Sequence, residues 1–156
     1  MINAAQNQLS AENLEFLRSR TSPETWQLLS RAVAVELPGF AANARPDGGW
    51  DFTWSEGERQ LSLHSRRDPE REAANQAEET LKDLQSDGCI VIGLAGLYHL
   101  KALAKRLKPG ALLLVIDPDP ALAAAVLRYS DLRAIDGRQL QFAMICNPNP
   151  DSACRE

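Results

Sequence analysis

The stretch Cys89-Ile90-Val91-Ile92-Gly93-Leu94-Ala95-Gly96-Leu97-Tyr98, with Leu112-Leu113-Leu114-Val115-Ile116-Asp117 after it, decides the fold. The first apolar run reads as a strand that ends in a glycine-containing turn. A helical pattern follows, with Leu97, Leu100, Leu103, Ala104 and Leu107 on one stripe, closed by Lys108-Pro109-Gly110. The second run is another strand, with an acid at its tip. Strand, small-residue turn, helix and acid-tipped strand is the order used to hold a nucleotide-like cofactor, so the chain is expected to be α/β.

Working outward, Asp119 caps and Pro120 opens an alanine-rich helix to Tyr129, and Leu140 to Cys146 reads as a third strand. Helical connections between parallel strands are right-handed, which gives a partial Rossmann-like parallel sheet of order 3-2-1. Such a sheet ordinarily continues past its third strand, so a truncated one is expected. Asn147-Pro148-Asn149-Pro150 onward reads as a loose tail. Before the sheet, Asp68-Pro69-Glu70 opens a helix with Ala73, Ala77, Leu81 and Leu84 inward, and Ser86-Asp87-Gly88 ends it.

Residues 40 to 65 change period. Trp50, Phe52 and Trp54 alternate with Asp51, Thr53 and Ser55, and Leu61 and Leu63 alternate with polar neighbours. A period of two marks half-buried strands, and the turns Pro46-Asp47-Gly48-Gly49 and Glu56-Gly57-Glu58 make a small antiparallel β-meander. The Trp50/Trp54 pair is expected in its core. Two helices come first, one capped by Ser10 and one by Ser22 with Pro23 at its first position. Ala32 to Leu37 extends the second helix or forms a strand. The chain thus divides into helices and meander over 1–65, a Rossmann-like βαβαβ half-domain over 66–146, and a tail over 147–156.

Composition excludes several classes. Of 156 residues, 44% are hydrophobic and 24% charged, ordinary for a soluble globular protein. A net charge of −4 gains nothing from counterion release, which argues against nucleic acid. No apolar run approaches the roughly 20 residues of a membrane span, and Met1 to Asn7 lacks a signal peptide's basic and apolar regions. Cys89, Cys146 and Cys154 have no disulfide or zinc spacing. A cytoplasmic location is expected.

The candidate cofactor site is Gly93, Leu94, Ala95, Gly96 and Leu97 with Asp117. Backbone N–H groups at a glycine turn donate to phosphate oxygens, and a carboxylate 24 positions after Gly93 can accept from both hydroxyls of a ribose. The spacing G-x-G-x-x-G would want glycines at Ala95 and Tyr98, and G-x-G-x-G would want them at Ala95 and Leu97. The competing reading is a turn without ligand. His64-Ser65-Arg66-Arg67-Asp68 reads either as a phosphate-binding or catalytic run or as a strand end, a solvated basic pair and a helix cap. No nucleophile–base pair, metal cluster or P-loop lysine stands out, so no catalytic residue and no metal ligand is assigned.

Three segments carry a resemblance: Leu63-His64-Ser65-Arg66-Arg67-Asp68-Pro69-Glu70-Arg71-Glu72-Ala73, Gly93-Leu94-Ala95-Gly96-Leu97-Tyr98-His99-Leu100, and Val115-Ile116-Asp117-Pro118-Asp119-Pro120. In this order they resemble the N-terminal region of the motility accessory factor family, glycosyltransferase-like proteins linked to flagellin glycosylation. The resemblance covers roughly residues 10 to 146. It implies an ancillary Rossmann-like domain, not catalytic on its own, with a partner catalytic domain that uses a nucleotide-activated sugar. The family loop is richer in glycine before its Tyr-His pair, and its strand-end acid is often glutamate where this chain has Asp117.

Three readings follow. The domain binds a nucleotide or nucleotide-sugar weakly at the loop and Asp117; it is an S-adenosylmethionine-dependent methyltransferase-like domain or remnant; or it is an interaction module in which Leu97 fills the former site.

Overall fold

A computed structural model describes residues 3–82, 87–138 and 141–146. The deciding stretch forms β4 (Gly88–Ile92), then α4 (Tyr98–Ala104), β5 (Leu112–Asp117), α5 (Pro120–Leu127) and β6 (Gln141–Cys146). β4 pairs in parallel with β5, and β5 with β6, so the sheet has the expected order with β5 in the middle. A short 3-10 helix, Leu132–Arg138, leads into β6; no periodicity announced it. Leu84, Ser86, Leu140 and the 147–156 tail lie outside the described residues.

The two faces of this sheet differ. Leu113, Val115, Met144 and Cys146 are fully buried on one face, packed on α4 and α5. On the other face Ile90 and Ile92 stand 64% and 80% exposed, and Leu112 is 40% exposed. The alternation in β5 follows directly from the pleat, which points successive side chains to opposite faces. The outer edge of β6 is occupied. Met144 N–H donates to Arg20 O at 3.1 Å, Cys146 N–H donates to Thr25 Oγ1 at 3.0 Å, and the Thr21 hydroxyl donates to Met144 O. β4 has no strand on its outer edge among the described residues.

Upstream, α1 (Ala4–Leu17) and α2 (Pro23–Ala32) precede the meander β1 (Phe40–Ala44), β2 (Trp50–Glu56) and β3 (Arg59–Ser62), and α3 (Pro69–Lys82) follows it. The meander is antiparallel throughout. Its inward residue is Phe52, fully buried against Phe40 and Tyr129. Trp50 and Trp54 are only half-buried, so the expectation of a tryptophan core is corrected to a phenylalanine one. α3 lies on α4 through Ala73, Ala77, Ala102 and Leu103, where the three alanines allow a close approach.

Two helix boundaries differ from the sequence reading. α1 begins at Ala4 because Asn3 and Gln6 form a reciprocal capping box. Ser10 is therefore mid-helix, its hydroxyl donating back to Gln6 O at 2.9 Å. Residues 33–39 are neither helix nor strand. The guanidinium of Arg128, 4% exposed, takes the carbonyls of Ala32, Val33 and Val35, which satisfies the end of α2 and stops it there. The caps Ser22, Asp68 and Asp119 accept N–H bonds as expected.

One core holds these pieces: Leu17 and Leu29 of the first two helices and Phe52 of the meander share a cluster with Leu100, Leu113, Val115 and Leu127. Its polar fastening is Asn13, which is fully buried. The Asn13 amide donates to Leu127 O at 2.7 Å and Ser130 O at 2.9 Å and accepts from Leu132 N–H at 2.9 Å. Asn13→Ala strands all three backbone groups, each worth about 1–3 kcal/mol when left unpaired. A loss of at least about 3 kcal/mol in urea unfolding, with unchanged denaturant slope, is expected.

Candidate functional site

The loop and the acid meet as the sequence reading requires. Gly93 N–H continues the β4–β5 pairing, donating to Ile116 O at 2.8 Å, and Leu94 N–H donates to Asp117 Oδ2 at 2.7 Å. All six candidate residues therefore sit at the carboxyl ends of β4 and β5. What they present there is another matter.

Alternate residues of the loop have left-handed backbone: Gly93 (φ 86°), Ala95 (φ 43°) and Leu97 (φ 64°). These are the glycine positions of the G-x-G-x-G spacing, so the loop keeps the shape that glycine favours with side chains at two of its three points. A left-handed leucine costs about 1–2 kcal/mol. Leu97 offsets this by inserting wholly into the core, a burial contributing about 2–3 kcal/mol. Leu94 is also fully buried. Gly96 is needed for a different reason: a Cβ there would lie 2.6 Å from His64 Cδ2 and 3.0 Å from Tyr98 Cδ2.

Asp117 is 4% exposed. Its Oδ2 accepts Leu94 N–H, and its Oδ1 accepts Asp119 N–H at 3.0 Å. Burial pushes its carboxyl above the usual 3.8, and the two N–H groups oppose that rise. The carboxylate thus clamps the loop to the start of α5.

The two histidines are also structural in their contacts. His64 Nε2 accepts Phe52 N–H at 3.1 Å, which leaves Nδ1 to donate to Ser65 O at 3.0 Å. Its ring packs edge-on against Tyr98. Burial holds the His99 imidazole below its usual range. Arg66 and Arg67 are exposed, and Asp68 caps α3. Among the described residues no group of His, Cys, Asp and Glu could hold a metal ion.

A second concavity, missed from sequence, lies beside Gly96. It has a volume of about 330 Å³ between the 47–50 turn, α3, α4 and residues 129–131. Lys101, Lys105 and Arg106 border it, with Trp50 and Tyr129 as aromatic wall. The Trp50 and Tyr129 rings meet edge-on at 4.8 Å. Tyr98 fixes that wall, its hydroxyl donating to Trp50 O at 2.9 Å and accepting Trp50 N–H at 3.1 Å. Two of the acids at the rim are already compensated. Asp47 is held by the Arg45 guanidinium, then by Gly49 N–H, down to about 2. Asp131 is held low by Arg133. The signal in the sequence was the i, i+4 spacing of Lys101 and Lys105, which reads as a solvated helix face until the turn opposite is in place.

Three substitutions test the loop. Gly96→Ala forces His64 and Tyr98 apart and is expected to cost about 1–3 kcal/mol. Ala95→Gly relieves a left-handed alanine and is expected to gain about 0.5–1 kcal/mol. Asp117→Asn loses one of two N–H acceptors, a deficit of about 1–2 kcal/mol. Because the folded carboxyl titrates above its unfolded value, its contribution is fullest below 3.8 and falls as pH rises through the folded value. The deficit of Asp117→Asn against wild type should therefore narrow from about pH 4 to pH 7. Urea unfolding across that range measures it.

No protein-family model matches the chain. No curated protein matches it either. Among solved structures it is similar to the MAf glycosyltransferase from Magnetospirillum magneticum AMB-1, with 17% identity and a TM-score of 0.56 over 96% of this chain. The chain spans 29% of the length of that structure. At this identity the likeness shows a shared fold alone, here an α/β architecture with a three-stranded parallel sheet and a three-stranded antiparallel meander.

Proposed function

We propose that this chain is an ancillary, non-catalytic Rossmann-like module of a glycosyltransferase-like protein of the MAf kind, acting in the cytoplasm. In this reading the catalytic domain is a partner, and the crevice at the strand ends is a structural joint. The observation that carries it is the state of that crevice: both oxygens of Asp117 accept backbone N–H groups, and Leu94 and Leu97 fill the space beneath the loop. The likeness to the MAf glycosyltransferase supports the setting. No helix among the described residues is long and apolar enough to cross a membrane.

A ribose or an adenosine at Asp117 would have to displace the Leu94 and Asp119 amides, and a phosphate at the loop would find glycine at position 93 but side chains at Ala95 and Leu97. A nucleotide, a nucleotide-sugar and S-adenosylmethionine are therefore all poorly served here. The test is amide chemical-shift mapping with cytidine monophosphate, uridine diphosphate N-acetylglucosamine and S-adenosylhomocysteine. Leu94, Ala95 and Asp117 are expected to stay unmoved in the wild type. Saturable shifts at these three amides, lost in Asp117→Ala, would overturn the proposal and favour the cofactor reading. Leu97→Gly, which empties the filled space, is expected to let one of these compounds shift the loop.

A further inference from the structure

The cleft beside Gly96 is concave, with Trp50 and Tyr129 among its lining residues and cations at its border, in a chain whose net charge is −4. Its cations are unequal. Arg106 folds back onto the carbonyl of Ala102 at 3.3 Å, whereas the ammonium groups of Lys101 and Lys105 make no ion pair or hydrogen bond among the described residues. Lys101 is half-buried, and burial lowers its affinity for a proton while Asp131 and Glu70 nearby raise it. Arg133 is shared between Asp131 and Glu12, and Arg45 between Asp47 and Asp51, whereas Lys101, Lys105 and Arg106 border the cleft with Glu70. Asp47 and Asp131 are tied to arginines at the rim, which leaves the two ammonium groups on one face of α4. A spacing of four residues brings the two lysines to within about 6 Å at Cβ, close enough to share one anion. Opposite them Trp50 is held at both its N–H and its carbonyl by Tyr98, so the ring wall is already in place before any ligand arrives.

We propose that this cleft binds a small phosphate ester that carries a ring, with the phosphate on Lys101 and Lys105 and the ring against Trp50 and Tyr129. A volume of about 330 Å³ suits a sugar phosphate or a mononucleotide. The site is separate from the Asp117 crevice, and it stands whether or not the ancillary-module reading does.

Calorimetry with glucose 1-phosphate, uridine monophosphate and inorganic phosphate, and with neutral glucose and uridine, tests it and separates the sources. At least one ester is expected to saturate at millimolar concentration, at least tenfold tighter than inorganic phosphate, while the neutral compounds give no heat. The double variant Lys101→Met/Lys105→Met is expected to weaken that ester at least tenfold, and Asp117→Asn to leave it unchanged. Should the double variant not fold, amide shifts in the wild type decide: movement at Gly49, Trp50, Lys101 and Ser130 supports the site, and movement elsewhere overturns it. No saturable heat with either ester, an affinity no better than that of phosphate, or full affinity in the folded double variant would each overturn the proposal.

Discussion

A single carboxylate sets the geometry around which the carboxyl ends of β4 and β5 are arranged. Asp117 receives one N–H from the loop after β4 and one from the first residue of the next helical entry, so it fixes two connections at once. A charged group at 4% exposure is tolerable only with such donors, because ion–N–H bonds are among the stronger ones and compensate for lost water. With the loop drawn down onto the acid, Leu94 and Leu97 have nowhere to point but the core. The left-handed φ of Leu97 follows from that position rather than from any intrinsic preference. The interior hydrophobic cluster then extends from the sheet through the loop to Phe52 of the meander.

This arrangement separates two properties that glycine-loop folds usually combine. The left-handed backbone is retained at residues 93, 95 and 97, yet Leu94 and Leu97 are fully buried and Asp117 is engaged by backbone N–H groups. An open concavity lies where Gly96 and Tyr98 meet the meander turn. Its cations come from α4 and its aromatic wall from β2 and the residue pair after α5. The meander is thus part of the site's architecture and not an appendage to the sheet.

What could be read from the sequence was what is local. The caps at Ser22, Asp68 and Asp119 are short-range hydrogen bonds, and the three parallel strands are short apolar runs, so residue order alone indicates them. The meeting of Gly93 with Asp117 was legible too, because strand order and register dictate it. The direction of Leu97 and the capture of both Asp117 oxygens were not, since they depend on space left by Phe52, His64 and α5. Asn13 and Arg128 escaped notice for the same reason. Their partners are 93 to 119 residues away in the chain, and neither sits in a motif. The cleft draws on four segments whose residues individually resemble solvated surface.

The bare side of the parallel sheet has a consequence for handling. Isoleucines at 64% and 80% exposure keep most of their apolar surface in water, and they govern how the chain meets its solvent. Sulfate and other excluded salts raise the cost of wetting such a surface. Solubility should therefore be salted out early along that face, well before heat or urea touches the interior. Colloidal behaviour and conformational stability are, in this molecule, set by opposite sides of the same three strands.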